Sequence, residues 1–277
     1  MTAGDEIVPR TELAGRSTTR QRWLAFAAGA AVGLLGGLVG LGGAEFRLPL
    51  LLGLFGFVAL QAVIVNKAMS LVVVLVALPS RLLAVPPAEV AGHWFVAISL
   101  LLGSLPGAWL GAAWATRMRA ATLYRVLGVL LLGIAAVFAA HHLEAMPQLA
   151  LPGVPQALLG VVAGFGIGVV AAVMGVAGGE LLIPTITVLY AVDVKLAGSL
   201  SLLVSLPTMV VAFLRYSRDQ AFGVLRQHAG FVLTMVAGSV AGSIAGGLLL
   251  GTVSETVLVP LVVALLLVSA VKVWRHA

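Results

Sequence analysis

The sequence predicts an all-α, polytopic integral membrane protein of two inverted repeats, with about five segments and one broken helix at a glycine cluster in each repeat. Three observations support this fold class. The 277 residues are 61% hydrophobic and only 9% charged, whereas a soluble domain carries about 25% charged residues. Long apolar runs recur along the chain, and the sequence repeats itself at a fixed offset.

The apolar runs predict membrane-spanning helices. About 18 consecutive apolar residues are enough for a helix to cross a bilayer. Four runs are nearly uninterrupted: Trp23 to Leu41, Leu60 to Leu78, His93 to Trp114 and Val257 to Val271. The strands of a membrane barrel alternate apolar and polar residues, and these runs do not. The polar residues 1–22 are expected to form a cytoplasmic N-terminal tail.

An internal repeat organises the chain at an offset of 135 residues. In a first block, Gly29, Gly33, Gly40, Gly43, Glu45 and Pro49 match Gly164, Gly168, Gly175, Gly178, Glu180 and Pro184. In a second block, which we expect to be a helix-packing stripe, Gly103, Ser104, Gly107 and Gly111 match Gly238, Ser239, Gly242 and Gly246. Between the blocks the offset slips to 128 and pairs Lys67 with Lys195. The repeats are predicted at residues 23–143 and 158–277 of one membrane domain, with an external linker at 144–157.

Each half begins with a long helix that ends in a glycine cluster, Gly40 to Gly43 or Gly175 to Gly179. Adjacent glycines followed closely by a proline break a helix. A short apolar piece comes after each cluster, at Phe46 to Phe57 and at Leu181 to Tyr190. Three more long segments then complete each half.

Arginine and lysine indicate how many segments cross the membrane. Twelve of the sixteen cations lie in four regions, the tail and residues 117–125, 215–226 and 272–275, and the loops 143–155 and 251–256 have none. Ten crossings put all four basic regions on one side and both cation-free loops on the other, whereas eight crossings do not. Because cytoplasmic loops are rich in Lys and Arg, we expect ten segments in the cytoplasmic membrane with both chain ends cytoplasmic. An odd number of crossings per half makes the halves inverted.

The glycine clusters and the residues after them form a motif that occurs twice. It is Gly40-Leu41-Gly42-Gly43-Ala44-Glu45-Phe46-Arg47-Leu48-Pro49 and then Gly175-Val176-Ala177-Gly178-Gly179-Glu180-Leu181-Leu182-Ile183-Pro184. With Ala197-Gly198-Ser199-Leu200, this doubled motif resembles the sulfite exporter TauE/SafE family of membrane proteins, over Trp23 to Trp274. The resemblance implies transport of sulfite, sulfonates or other sulfur-containing anions.

The glycine clusters are the first candidates for a substrate-binding site. Where a helix breaks and restarts inside a protein, its new N-terminus offers unpaired N–H groups and a dipole that attract anions. Gly42, Gly43, Gly178 and Gly179 are therefore predicted to bind substrate. The alternative is that these glycines only permit helices to cross closely.

Glu45 and Glu180 directly follow the two clusters and are candidates for both substrate binding and proton coupling. A carboxylate in hydrocarbon is costly, so burial favours its neutral form. A neutral acid does not repel an anion, which suits a proton-coupled carrier. The alternative is a pair of first-turn acids that cap their helices.

Five more residues complete the predicted substrate-binding set. Arg47, whose partner position is Leu182, is either a counter-ion for the substrate or a residue that snorkels to the membrane surface. Lys67 and Lys195 are either substrate ligands or surface anchors, and Asn66 is placed to assist Lys67. Ser199, like Ser70, Ser201 and Ser205, either donates to an oxyanion or bonds its own helix backbone.

The function that fits these residues best is a secondary carrier for a small anion that works by alternating access, with protons as the candidate coupling ion. An anion channel is the alternative, and an intramembrane enzyme is a third class that the sequence favours less. The chain has no cysteine, its histidines lack metal-ligand spacing and no nucleotide-binding loop occurs, so neither a metal nor another cofactor is expected. The formal charge is +6, and its cations flank the apolar spans, which indicates a role in orienting the protein in the membrane rather than in binding nucleic acid. The sequence leaves the oligomeric state open.

Overall fold

The computed structural model describes residues 19–39, 43–84, 87–142, 149, 153–249 and 255–275, and this part of the chain is helical with no strand. In chain order its helices are α1 (Thr19–Val39), α2 (Ala44–Gly53), α3 (Ala59–Ala84), α4 (Pro87–Gly92), α5 (Trp94–Ala115), α6 (Ala120–His142), α7 (Val154–Met174), α8 (Gly179–Tyr190), α9 (Val194–Tyr216), α10 (Val224–Gln227), α11 (Ala229–Leu248) and α12 (Glu255–Trp274). A 3-10 turn at Gln220–Gly223 precedes α10.

Each short helix begins directly after a left-handed glycine. Gly178 has a φ of 87° before α8, and Gly43 has a φ of 70° before α2. Gly175 has a φ of 71° and closes the end of α7. Side chains with a Cβ rarely adopt these angles, so the sequence turns the chain at the points where the glycines cluster.

The 135-residue offset holds for the start of every long helix. Thr19 and Val154 begin α1 and α7, Ala59 and Val194 begin α3 and α9, and the other pairs follow the same rule. The predicted slip to an offset of 128 is therefore wrong for the helix boundaries. Lys67 is the ninth residue of α3, whereas Lys195 is the second residue of α9. The two lysines are not equivalent positions, and the residue equivalent to Lys67 is Leu202.

Glycine stripes bring two pairs of helices into close contact. A Cβ added to Gly29 of α1 would lie 2.2 Å from the Met235 carbonyl oxygen of α11, and one added to Gly33 would lie 2.1 Å from that of Ser239. Because the residue numbers of the contacting pairs increase together along both helices, α1 and α11 run parallel. The predicted packing role of the glycine stripes is confirmed, since small residues let the two backbones approach.

The second tight pair, α5 and α7, repeats the first with the two halves exchanged. Gly103 of α5 approaches Val161 and Gly107 approaches Phe165, so these helices also run parallel. Gly33 of α1 meets Ser239, and the equivalent Gly168 of α7 meets Ser104. A contact between α1 and α11 thus has a counterpart between α7 and α5. The residue from the first repeat is replaced by the one 135 positions later, and the residue from the second repeat by the one 135 positions earlier.

Six helices of the described chain are long and apolar enough to span a membrane. They fall at Ala59–Val76, Trp94–Ala115, Ala120–Val137, Val154–Met174, Val194–Tyr216 and Ala229–Leu248. The short helices α2 and α8 have 10 and 12 residues. At a rise of 1.5 Å per residue each is roughly 15–18 Å long, about half of a hydrocarbon core of ~30 Å.

The short helix α8 folds back along α7. Its end lies beside the start of α7, because the Gln156 side-chain amide donates to the Leu189 carbonyl oxygen at 2.7 Å. The next helix, α9, then runs in the direction of α7 again. Near its end, the Tyr216 hydroxyl donates to the Ala172 carbonyl oxygen at 3.0 Å. The helices α7, α8 and α9 therefore alternate in direction.

Three arginines, Arg22, Arg215 and Arg218, lie at one end of the molecule. The guanidinium carbons of Arg215 and Arg218 lie 5.8 and 4.9 Å from the ring centroid of Trp109, close to the end of α5. Arg22, near the start of α1, lies beside Gly230 at the start of α11. The starts of α1 and α11 and the ends of α5 and α9 thus share this end.

Candidate functional site

Four acidic and basic side chains are buried in the described interior. Arg47 and Lys67 are 0% exposed, and Glu45 and Glu180 are 2% and 3% exposed. A charged side chain is costly at membrane depth, and such residues usually serve a function there. The described interior therefore holds two acids and two bases, whose formal charges cancel.

The two acids occupy equivalent places. Glu45 lies at the first junction, where α2 follows α1, and Glu180 lies at the second junction, where α8 follows α7. Glu45 is the second residue of α2 and Glu180 is the second residue of α8, each after a left-handed glycine. Within the described residues, no oxygen of either carboxylate has a hydrogen-bond partner. The capping hydrogen bonds of the alternative interpretation are thus missing from the geometry.

Asn66 of α3 joins the two junctions. Its side-chain amide nitrogen donates to the Ala44 carbonyl oxygen at 3.0 Å and to the Met174 carbonyl oxygen at 3.3 Å. Ala44 begins α2 and Met174 ends α7. Two junctions that are far apart in sequence therefore meet at one side chain in the interior.

Lys67 holds the junction between α7 and α8. Its ammonium group donates to the Ala171 carbonyl oxygen at 2.8 Å and to the Val176 carbonyl oxygen at 2.5 Å. A cation is stabilised at a helix C-terminus by the helix dipole and the unpaired carbonyl groups. Lys67 is fully buried, so the surface-anchor interpretation of this lysine is wrong.

Arg47 connects the first junction to the second. Its Nη1 donates to the Ser70 hydroxyl at 3.4 Å, and that hydroxyl donates to the Gly175 carbonyl oxygen at 3.4 Å. The other two nitrogens of the guanidinium, Nε and Nη2, have no hydrogen-bond partner in the described structure. Arg47 is fully buried, so the snorkelling interpretation is also wrong.

The predicted glycines lie at the junctions, where both backbone angle and packing require them. A Cβ on Gly43 would lie 2.5 Å from the Val32 carbonyl oxygen, and one on Gly178 would lie 3.1 Å from the Ala171 Cβ. Gly179 is the first, buried residue of α8. Gly42 lies outside the described residues. A bulky substitution at Gly43 or Gly178 would therefore strain the fold as well as fill a site.

Two predicted residues, Lys195 and Ser199, make no hydrogen bond to the other predicted site residues beyond Lys195 itself within the described structure. Lys195 is exposed at the start of α9, where its backbone N–H donates to the Asp193 carboxylate at 2.8 Å. Ser199 is buried, but its hydroxyl donates to the Lys195 carbonyl oxygen of its own helix at 3.5 Å. Both observations agree with the structural alternatives for these residues.

Sequence reasoning missed two interior contacts. Tyr216 is fully buried and caps the Ala172 carbonyl of α7, and the Ser104 and Thr208 hydroxyls lie 2.7 Å apart between α5 and α9. Ser104 belongs to the repeated block, which was a usable signal. A lone tyrosine at the end of an apolar run carries no comparable signal. The described residues contain no group of three side chains that could hold a metal ion.

Comparison with known proteins gives one match. A family model described as Sulfite exporter TauE/SafE matches residues 24–273, nearly the whole chain. No curated protein and no solved structure matches it.

Proposed function

The chain belongs to the sulfite exporter TauE/SafE family of membrane transporters, and from that premise we propose that it is a secondary carrier that moves one small anion by alternating access. Sulfite, a sulfonate or another sulfur-containing anion is the proposed substrate class. The proposed site consists of the two junctions and the α3 side chains between them. No catalytic role is assigned to its acids.

The observation that carries this proposal is the meeting of the two junctions at Asn66. Many carriers bind substrate between two structural repeats, at helices that are interrupted near the membrane centre. Here α1 and α2 come from one repeat and α7 and α8 from the other. A rocking motion between the repeats would expose such a site to one side and then to the other.

We further propose that the two repeats have inverted topology, and the helix directions support it. The end of α7 lies beside the end of α9 at Tyr216, and the chain passes from there to the start of α11. Helix α1 runs parallel to α11, as Gly29 and Gly33 indicate. On this reasoning α1 begins at the end of the molecule where α7 finishes, so equivalent helices point in opposite directions.

The proposed topology has ten segments, with residues 23–143 and 158–277 as the repeats and both chain ends in the cytoplasm. The return of α8 along α7 favours counting each short helix as a crossing. The gathering of Arg22, Arg215 and Arg218 at one end fits the excess of cations on cytoplasmic loops. The cytoplasmic membrane of a cell is the proposed location.

Proton coupling is proposed from the charge balance of the interior. Glu45 and Glu180 offset Arg47 and Lys67, so an incoming anion leaves one uncompensated negative charge. An uncompensated charge away from water is costly. Protonation of either acid restores the balance, and the carboxylates of both acids lack hydrogen-bond partners among the described residues. An anion channel would have no need of this exchange.

A flux screen in proteoliposomes tests the proposed function. Purified protein is reconstituted, and efflux of sulfite, thiosulfate, methanesulfonate and acetate is measured against protein-free liposomes of the same lipid. We expect at least one sulfur-containing anion to move faster than it does in the protein-free liposomes, and an inward proton gradient to change its rate. The proposal fails if none of the anions moves faster with protein present.

A further inference from the structure

We propose that the free edge of the Arg47 guanidinium is a bidentate oxyanion-binding site and that the chain has one such site. This inference rests on the proposed function for its cargo, and it adds a chemical specificity and a stoichiometry. The site takes an anion with two oxygens on one central atom, such as a sulfite, a sulfonate or a carboxylate.

The first argument is the arrangement of the guanidinium donors. Nη1 is engaged by Ser70, whereas Nε and Nη2 have no partner within the described structure. The N–H groups of Nε and Nη2 point the same way along one edge of the planar group. Such an edge matches two oxygens of one oxyanion, with two parallel hydrogen bonds. Leaving two charged donors unpaired in the interior is costly, so a bound anion would stabilise them.

The second argument is the position of that edge. Arg47 is the fourth residue of α2, and a helical side chain leans back over the turn before it. That turn is the helix start after Gly43, where backbone N–H groups lack intrahelical acceptors and the dipole is positive. Ser70 also ties the guanidinium to the Gly175 carbonyl of the other junction. The edge therefore lies where the two repeats meet.

Neither buried acid occupies the free edge. Glu45 is two residues from Arg47 on the same helix, and side chains with that spacing diverge. The carboxylate oxygens of Glu45 and Glu180 have no hydrogen-bond partner within the described chain. Within the described chain, neither acid therefore forms a hydrogen bond with Arg47.

The two repeats differ at this site, which fixes the stoichiometry. The position equivalent to Arg47 is Leu182, a buried apolar residue of α8. The position equivalent to Lys67 is Leu202. The second repeat therefore lacks a buried cation at both places, and it cannot build the same fork. One oxyanion per chain follows.

Direct binding to the full chain in lipid nanodiscs tests this inference by calorimetry. Sulfite, methanesulfonate, acetate and chloride are the probes. We expect one oxyanion to bind per chain. Chloride should bind at least roughly tenfold more weakly, because a spherical ion cannot accept from both donors at once and the loss of one charge-assisted hydrogen bond corresponds to about that factor. The inference is overturned if none of the three oxyanions binds, if two bind per chain, or if chloride binds as tightly.

Variants give the second arm of the test. Arg47→Lys keeps the charge but loses the planar fork, so its oxyanion affinity should fall by roughly tenfold or more, while Arg119→Lys at an exposed position should match the parent. Unchanged affinity in Arg47→Lys overturns the inference even if flux is normal. Arg47-dependent binding without flux in any liposome assay leaves the inference standing and overturns the carrier. The chloride comparison on the parent chain needs no variant to fold.

Discussion

At the scale of single residues, Lys67 and Lys195 show how a repeated residue type takes two different roles. Lys67 is fully buried and donates to two carbonyl oxygens at the end of α7. Lys195 is exposed, and its backbone N–H donates to the Asp193 carboxylate. The first lysine joins the two halves of the molecule, whereas the second contributes to a solvated helix start.

Replacing Lys67 with methionine should destabilise the protein strongly. The Lys67→Met variant loses two charge-assisted hydrogen bonds, those to the Ala171 and Val176 carbonyl oxygens, at a cost of about 2–4 kcal/mol. The matched control, Lys195→Met, should change the free energy of unfolding by less than about 0.5 kcal/mol. Denaturant unfolding of the purified proteins in one detergent measures both. Equal stability of the two variants would contradict the assigned role of Lys67.

The buried acids should couple anion flux to protons. Glu45→Gln and Glu180→Gln keep the shape of each side chain but cannot release a proton, so anion flux should persist and lose its response to an imposed pH difference. Asp193→Asn is the control, because it also removes a carboxylate while asparagine still caps a helix. Flux with and without the gradient is the measurement. If both glutamine variants respond as fully as the parent does, these acids do not carry the coupling.

At the scale of helices, the glycine stripes explain how the two halves interlock. Glycines of α7 that face α5 have no room for a Cβ, while Gly166 on the outer face of the same helix has nothing within 4 Å. The sequence spacing predicted a packing stripe. It did not indicate which helix each stripe would meet, because a run of small residues carries no information about its partner.

Alanine substitutions on α7 should affect stability differently on the face packed against α5 and on the outer face. Gly168→Ala places a methyl group 2.3 Å from the Ser104 carbonyl oxygen, which should destabilise the protein by about 1–3 kcal/mol through overpacking. Gly33→Ala, its equivalent in α1, should cost a similar amount. Gly166→Ala should be neutral or stabilising by up to about 1 kcal/mol, because alanine favours the helix. Denaturant unfolding compares them, and a Gly166→Ala loss as large as that of Gly168→Ala would refute this account of the interface.

At the scale of the whole molecule, the sequence predicted much of the architecture and less of the site. The membrane helices and the repeat follow from apolar length and matching glycines, which are local signals. The alignment of Lys67 with Lys195 failed because two similar residues were matched without knowledge of where α3 and α9 begin. The hydrogen bonds from Asn66 to the Ala44 and Met174 carbonyl oxygens depend on how α3 crosses both junctions. No spacing in the sequence predicts that crossing.

Single-cysteine labelling should establish the proposed topology, because the chain has no cysteine of its own. Met118→Cys, between two arginines after α5, should react with an impermeant reagent only after the cells are opened. Leu149→Cys, an exposed position in the proposed external linker, should react in intact cells. Labelling of Met118→Cys from outside would contradict the ten-segment arrangement and the inversion of the repeats.

The most direct test of the central claim, that this chain is an anion carrier, is counterflow in proteoliposomes. Vesicles loaded with unlabelled sulfite are diluted into a trace of labelled sulfite, and internal label is followed over time. A carrier with one alternating site exchanges the anions, so label should rise transiently above its external concentration and then decay. Label that only equilibrates, at a rate independent of the internal sulfite, would contradict the carrier and favour a channel.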